Sequence, residues 1–217
     1  MSRFPQSGPI QLADTSAGQL EVVIIATAMQ KQWEASPRLR ITFLLQLHGR
    51  AVRLVQGEQV QCNGTPLANN DSSFDGIVPL AAQGFPNTCL YQQNQHDTPV
   101  RIDFVLAPPP VLLRPQEGET LSGRQLLDVF YQAGPGRDVQ VTAFRTAKSP
   151  SVPIAVSNGN VQPDTGHYHH FDPRGFVSGP GTLTLTRAFP SLSLDGTAFT
   201  AVHLNARCET CIKVTWA

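Results

Sequence analysis

Three groups of side chains in this sequence have the types and spacing to do chemistry. The cysteines fall as two pairs, Cys62 with Cys89 and Cys208 with Cys211. A Cys-x-x-Cys spacing such as Cys208-Glu209-Thr210-Cys211 serves redox enzymes, zinc sites and small disulfide turns alike. A redox role needs the motif to open a helix in a βαβ unit, whereas here it stands between two strand patterns. That context favours a disulfide clasping the turn of a final hairpin. Cys62 and Cys89 enclose 26 residues, and a bridge between them would stabilise the fold by about 3–4 kcal/mol on the chain-entropy view. An even count, one pair in each half of the chain, reads as two local disulfides in an oxidising compartment.

The second group is His167, His169 and His170 with Asp172 close by, half of the chain's 6 histidines. In an extended segment His167 and His169 point to one face, as ligands of one metal ion would. His167, His169 and Asp172 are therefore the candidate metal ligands. Cys208 and Cys211 could complete a zinc set with the histidines, and a solvated histidine-rich loop is the plain alternative. The third group, Asp71-x-Ser73-x-Asp75-Gly76, opens like a calcium loop, but its twelfth position is Ala82 where a bidentate Glu belongs. An Asx-rich turn accounts for it better. Asn63-Gly64-Thr65 and Asn70-Asp71-Ser72 match the glycosylation sequon. Nucleophile elbows, paired zinc-protease histidines and phosphate-cradling glycine loops are absent from the sequence. The expectation is a protein that is not an enzyme and has no resident cofactor.

The elements that must position these residues read as strands. Ile41, Phe43, Leu45 and Leu47 alternate with polar neighbours, as do Val100, Ile102, Phe104 and Leu106, and as do Leu183 and Leu185 among threonines. Gln19 to Thr27 is a largely apolar run of strand type. Ala28 to Pro37 is the best helical candidate in its half, with a polar loop anchored by Trp33 as the alternative. Leu121 to Tyr131 is ambiguous between helix and strand, with strand favoured. Asn63-Gly64 is a strong hairpin turn. The stretch from Ala147 to Gly181 is rich in Pro, Gly, Ser and Asn and reads as a long functional loop holding short strands. Trp216 reads as a core anchor.

Three successive prolines, Pro108-Pro109-Pro110, stand between two strand-patterned halves and read as a stiff spacer. The expected fold class is all-β: two immunoglobulin-like β-sandwich domains in tandem, 1–107 and 108–217, joined by a proline-rich linker. The 41% hydrophobic content is enough for such cores, and only 15% of residues are charged. Sixteen basic residues balance sixteen acidic ones for a net charge of zero. With no basic stripe, nucleic acid is excluded as a partner. The longest apolar run, Val22 to Ala26, is far too short for a membrane span. The opening Ser2-Arg3-Phe4-Pro5-Gln6 does not read as a leader, and a processed chain would look the same.

Several stretches together resemble secreted bacterial proteins built from tandem immunoglobulin-like sandwiches: Gly57 to Leu67, the Pro108 to Pro110 run, and Ile212-Lys213-Val214-Thr215-Trp216. The chain lacks the Cys–Trp–Cys spacing of antibody domains, so the likeness is to the general sandwich class. The resemblance implies an extracellular or cell-surface role in display, adhesion or assembly. The expected partner is a further copy of the chain or another surface protein. In such an assembly Pro9, Ile10, Gln11 and Leu12 form a candidate donated strand. The alternative is a glycan- or metal-binding module that uses the 147–181 loop.

Overall fold

Alternation of apolar and polar residues governs the chain from end to end, and the elements follow from it. The computed structural model describes residues 10–11, 16–54, 57–146, 153–173, 176, 178–194 and 198–217. Among these residues all regular elements are β-strands apart from one 3-10 turn, Ala17–Gln19. Ala201–Trp216 is the clearest case, burying every second residue from Val202 to Trp216. None of the described helices is long and apolar enough to cross a membrane. The all-β expectation holds.

Two compact units divide the chain. One gathers the described parts of 1–26, 39–105 and 191–205, the other those of 27–38, 106–190 and 206–217. The 27–38 segment thus groups with residues that follow the proline run, and 191–205 with residues that precede it.

In the first unit Arg50–Arg53, Arg38–Leu47, Glu21–Lys31 and Ala201–Trp216 are neighbours in that order, and Ser73–Pro79 also pairs with Arg38–Leu47. Ile10–Gln11 lies parallel to Val52–Arg53 of the same chain; Pro9 and Leu12 lie outside the described residues. A second sheet runs Val100–Phe104, Asn87–Gln92, Gln59–Cys62, Thr65–Pro66. Asn63 and Gly64 turn the last pair with φ of 48° and 77°, the left-handed values of a type I′ hairpin. The sheets meet where Phe43 stacks on Tyr91 at 6.1 Å; Phe74, from the same sheet as Phe43, meets it edge-on at 6.4 Å. Tyr91 also donates its hydroxyl to the buried Glu58 carboxylate at 3.0 Å.

In the second unit one sheet orders Ala201–Trp216, Gly179–Ala188, Asp138–Thr146 and Pro153–Asn158. The facing sheet orders Leu112–Arg114, Leu127–Tyr131 and His167–Phe171. Their inner faces form one core, with Val129, Tyr131, Tyr168 and Phe171 from the smaller sheet against Val141, Leu183, Ile212 and Trp216 from the larger. Trp216 is the expected anchor. Its indole donates to the Phe144 carbonyl at 3.2 Å, and a Cβ on Gly181 would overlap the same nitrogen. A charge pair is buried in this unit as well. Arg187 Nε lies 2.6 Å from Asp164 Oδ2, the two side chains being 5% and 1% exposed, and Arg187 donates to the Gln132 carbonyl at 2.6 Å. A Cβ on Gly134 or Gly136 would overlap the Arg187 side chain, so the glycines leave room for it.

Two local expectations change. Ala28 to Pro37 is not helical: Glu21–Lys31 continues as strand and Gln32 donates its backbone N–H to Cys211, a pairing that overrides helix propensity. Trp33 sits in the turn that follows, 4.7 Å from the Lys213 ammonium. The proline run, expected as a stiff spacer, has carbonyls at both ends bonded to a later strand. Its nitrogens cannot donate, but the Ala107 carbonyl accepts from Cys208 Sγ at 2.9 Å and the Pro110 carbonyl accepts from the buried Thr210 hydroxyl.

Candidate metal centre

The small sheet of the second unit positions the histidines. Phe130 pairs with His167 and Val129 with Tyr168, with a register irregularity before Leu127 pairs with Phe171. Alternation sends Val129, Tyr131, Tyr168 and Phe171 into the core and leaves Asp128, Phe130 and His169 exposed, with His167 half-buried. Regular alternation would then turn His170 inward. Instead it adopts φ of 55°, a left-handed value uncommon for residues other than glycine, and its side chain is exposed beside His169.

Polar contacts hold this irregular backbone. His170 donates its N–H to Asp128 Oδ1 at 2.9 Å. Gln162 clamps the main chain of His169 on both sides, accepting its N–H at 3.0 Å and donating to its carbonyl at 2.7 Å. The His167 ring stacks on Phe130 at 4.2 Å and lies 3.6 Å from the His169 ring. His167 Nε2 is buried, lacks a hydrogen-bond partner, and lies 3.7 Å from Asp128 Oδ1. One ligand atom each from Asp128, His169 and His170 falls within 4.8 Å of the others. The Asp128 carboxyl is held below the usual carboxylate range by the His170 N–H above all; burial works against this, and the neighbouring imidazoles add to it. An open groove of about 450 Å³ adjoins the cluster, lined by Asn158, Asn160, Gln162, Tyr168 and Asp172 among others.

Of the residues singled out as metal ligands, His167 and His169 are brought together. Asp172 is not in the trio; its carbonyl accepts from Ser157 and it lines the groove. The carboxylate at the cluster is Asp128, which sequence reading does not single out. Alternation along Leu127–Tyr131 marks Asp128 as outward-facing, but nothing in the sequence pairs that strand with His167–Phe171.

The Cys208–Cys211 bridge is the cysteine expectation that needs correction; all four cysteines stand unbridged here. Cys208 and Cys211 do not clasp a hairpin turn, because both lie inside the uninterrupted strand Ala201–Trp216. Three residues apart, they face opposite sides of the sheet with Cα atoms roughly 10 Å apart, beyond disulfide reach. Burial pushes the Cys208 thiol up to about 12 and also raises Cys211. Cys62 and Cys89 are directly opposed across Gln59–Cys62 and Asn87–Gln92, both fully buried. The neighbouring Cys62 thiol, with burial, pushes the Cys89 thiol far up.

The calcium-like stretch is a hydrogen-bond hub. Asp75 accepts from Thr42 at 2.5 Å, Ser73 at 2.5 Å and Asn70 at 2.9 Å, which fills the carboxylate with protein donors. Both sequon asparagines have committed side-chain amides, Asn63 to Pro79 and Asn87, and Asn70 to Asp75.

No family profile matches the chain, and no curated protein is similar to it. Among solved structures, the fibronectin(III)-like modules of Clostridium thermocellum CbhA are similar at 12% identity, covering 90% of this chain and 95% of that one, with a TM-score of 0.26. A tandem of titin Ig domains is similar at 13% identity, covering 89% and 95%, with a TM-score of 0.22.

Proposed function

We propose that the chain is a non-enzymatic structural or adhesive β-sandwich protein that acts outside the cell and associates with further copies of itself. The observation that carries this reading is the outer face of the small sheet in the second unit. There Val111 is 52% exposed, Leu113 52% and Phe130 41%, so large apolar side chains stand in solvent. Leu112–Arg114 is the terminal strand of that sheet among the described residues, with one side of its backbone open. A net charge of zero opposes no approach of a second copy.

Light scattering over a hundredfold range of concentration tests the reading. The expected result is a mass that rises with concentration in the wild type and stays monomeric in a Leu113→Asp/Phe130→Asp double variant. A wild type that is monomeric throughout overturns it. Donation of the N-terminal strand would exchange the Ile10–Gln11 pairing with Val52–Arg53 between copies. Removal of residues 1–16 tests that route, and undiminished association would exclude it. A second reading, a ligand-binding module, is favoured by the amide-lined groove beside the histidines.

A further inference from the structure

We propose that Asp128, His169 and His170 bind one divalent first-row transition-metal ion on the surface of the second unit, with His167 as the adjoining imidazole. This inference stands independently of self-association. Two imidazoles and one carboxylate form a donor set suited to zinc, copper, nickel or iron rather than to calcium or magnesium, which favour all-oxygen sites.

Four observations point the same way. The three ligand atoms already lie within 4.8 Å of one another. A tetrahedral zinc site needs donors roughly 3.3 Å apart, from bond lengths of about 2.0–2.1 Å. All three side chains are exposed, so side-chain rotation alone can close that gap. Second, His170 holds a left-handed φ of 55° that places consecutive histidines outward together, a conformation costly enough to need a reason. Third, the contacts that fix this backbone run through the site itself. Asp128 accepts the His170 N–H at 2.9 Å and Gln162 clamps His169, as outer contacts orient ligands in metal sites. Fourth, His167 Nε2 is buried without a hydrogen-bond partner and 3.7 Å from the Asp128 carboxylate. A small shift lets that nitrogen enter as a fourth ligand or as a donor to Asp128. Three ligands would leave coordination positions for water or for an oxygen donor lying in the adjoining groove.

The test is isothermal titration of tag-free protein with zinc chloride, repeated with cobalt(II), whose visible absorption reports the ligand set. One ion per chain is expected. Asp128→Asn, and separately His169→Ala/His170→Ala, should weaken binding at least about tenfold and change the cobalt spectrum. Metal-free unfolding of each variant checks that the fold survives. The absence of saturable zinc binding by the wild type, or a wild-type affinity and spectrum in the double histidine variant, would overturn the assignment.

Discussion

At the scale of single residues, burial decides what each polar group does. Cys62 and Cys89 face each other in neighbouring strands, a separation a disulfide can span. Under oxidising conditions the two thiols are expected to join, with a loss of two hydrogens visible in intact mass. The bridge should add about 3–4 kcal/mol against denaturant, and a Cys89→Ser variant should show neither effect. Asp75 supports a second prediction. Burial alone would raise its pKa, but the hydrogen bonds from Ser73, Thr42 and Asn70 outweigh that and hold it low. A carboxyl with a folded pKa below its unfolded value stabilises above the unfolded pKa, and the gain is lost as pH falls through the folded one. Asp75→Asn should therefore cost about 1 kcal/mol at neutral pH, and the gap to the wild type should close below about pH 4, the unfolded aspartate range. Urea titrations at pH 7 and pH 3 would measure both.

At the scale of elements, the Arg187–Asp164 pair makes the strongest demand on the surrounding chain. Removing one partner strands a buried charge, so Asp164→Asn should cost about 3–5 kcal/mol. Gly136→Ala should destabilise as well, because its Cβ would overlap the Arg187 side chain. Thermal unfolding of both variants checks this. The elements also show what the sequence makes legible. The strand at Leu183 and Leu185 is readable because the threonines around them set a period of two, and Trp216 is equally readable as a core residue. The helix-like composition of Ala28 to Lys31 misleads because pairing with a strand near the C-terminus decides its state, and propensity carries no information on that pairing. The same limit hides Asp128. Its outward position is local, whereas its meeting with His169 and His170 depends on which strands become neighbours. The Cys208–Cys211 spacing reads as a turn because the residues on either side give no sign that one strand runs unbroken through the motif.

At the scale of the whole molecule, equal numbers of acidic and basic residues give zero net charge near pH 7. If the exposed apolar face drives association, attraction between chains should be greatest near neutrality and weaken towards pH 4, where carboxylates take up protons and the net positive charge grows. Light scattering from pH 7 to pH 4 would show the mass fall, and a mass that stays constant would argue that net charge does not govern the contact.

The two units draw on segments that are far apart in the chain, with a consequence for synthesis. The first takes in residues 191–205 and the second 206–217. A ribosome that has made residues 1–105 has supplied Arg38–Leu47 on one side of Glu21–Lys31 but not Ala201–Trp216 on the other. A first unit that folded while the rest was still being made would do so with that side of Glu21–Lys31 unpaired. A fragment ending at Val105 should remain unfolded by circular dichroism, and adding residues 191–217 to it in trans should restore strand signal if the missing strand is what it lacks.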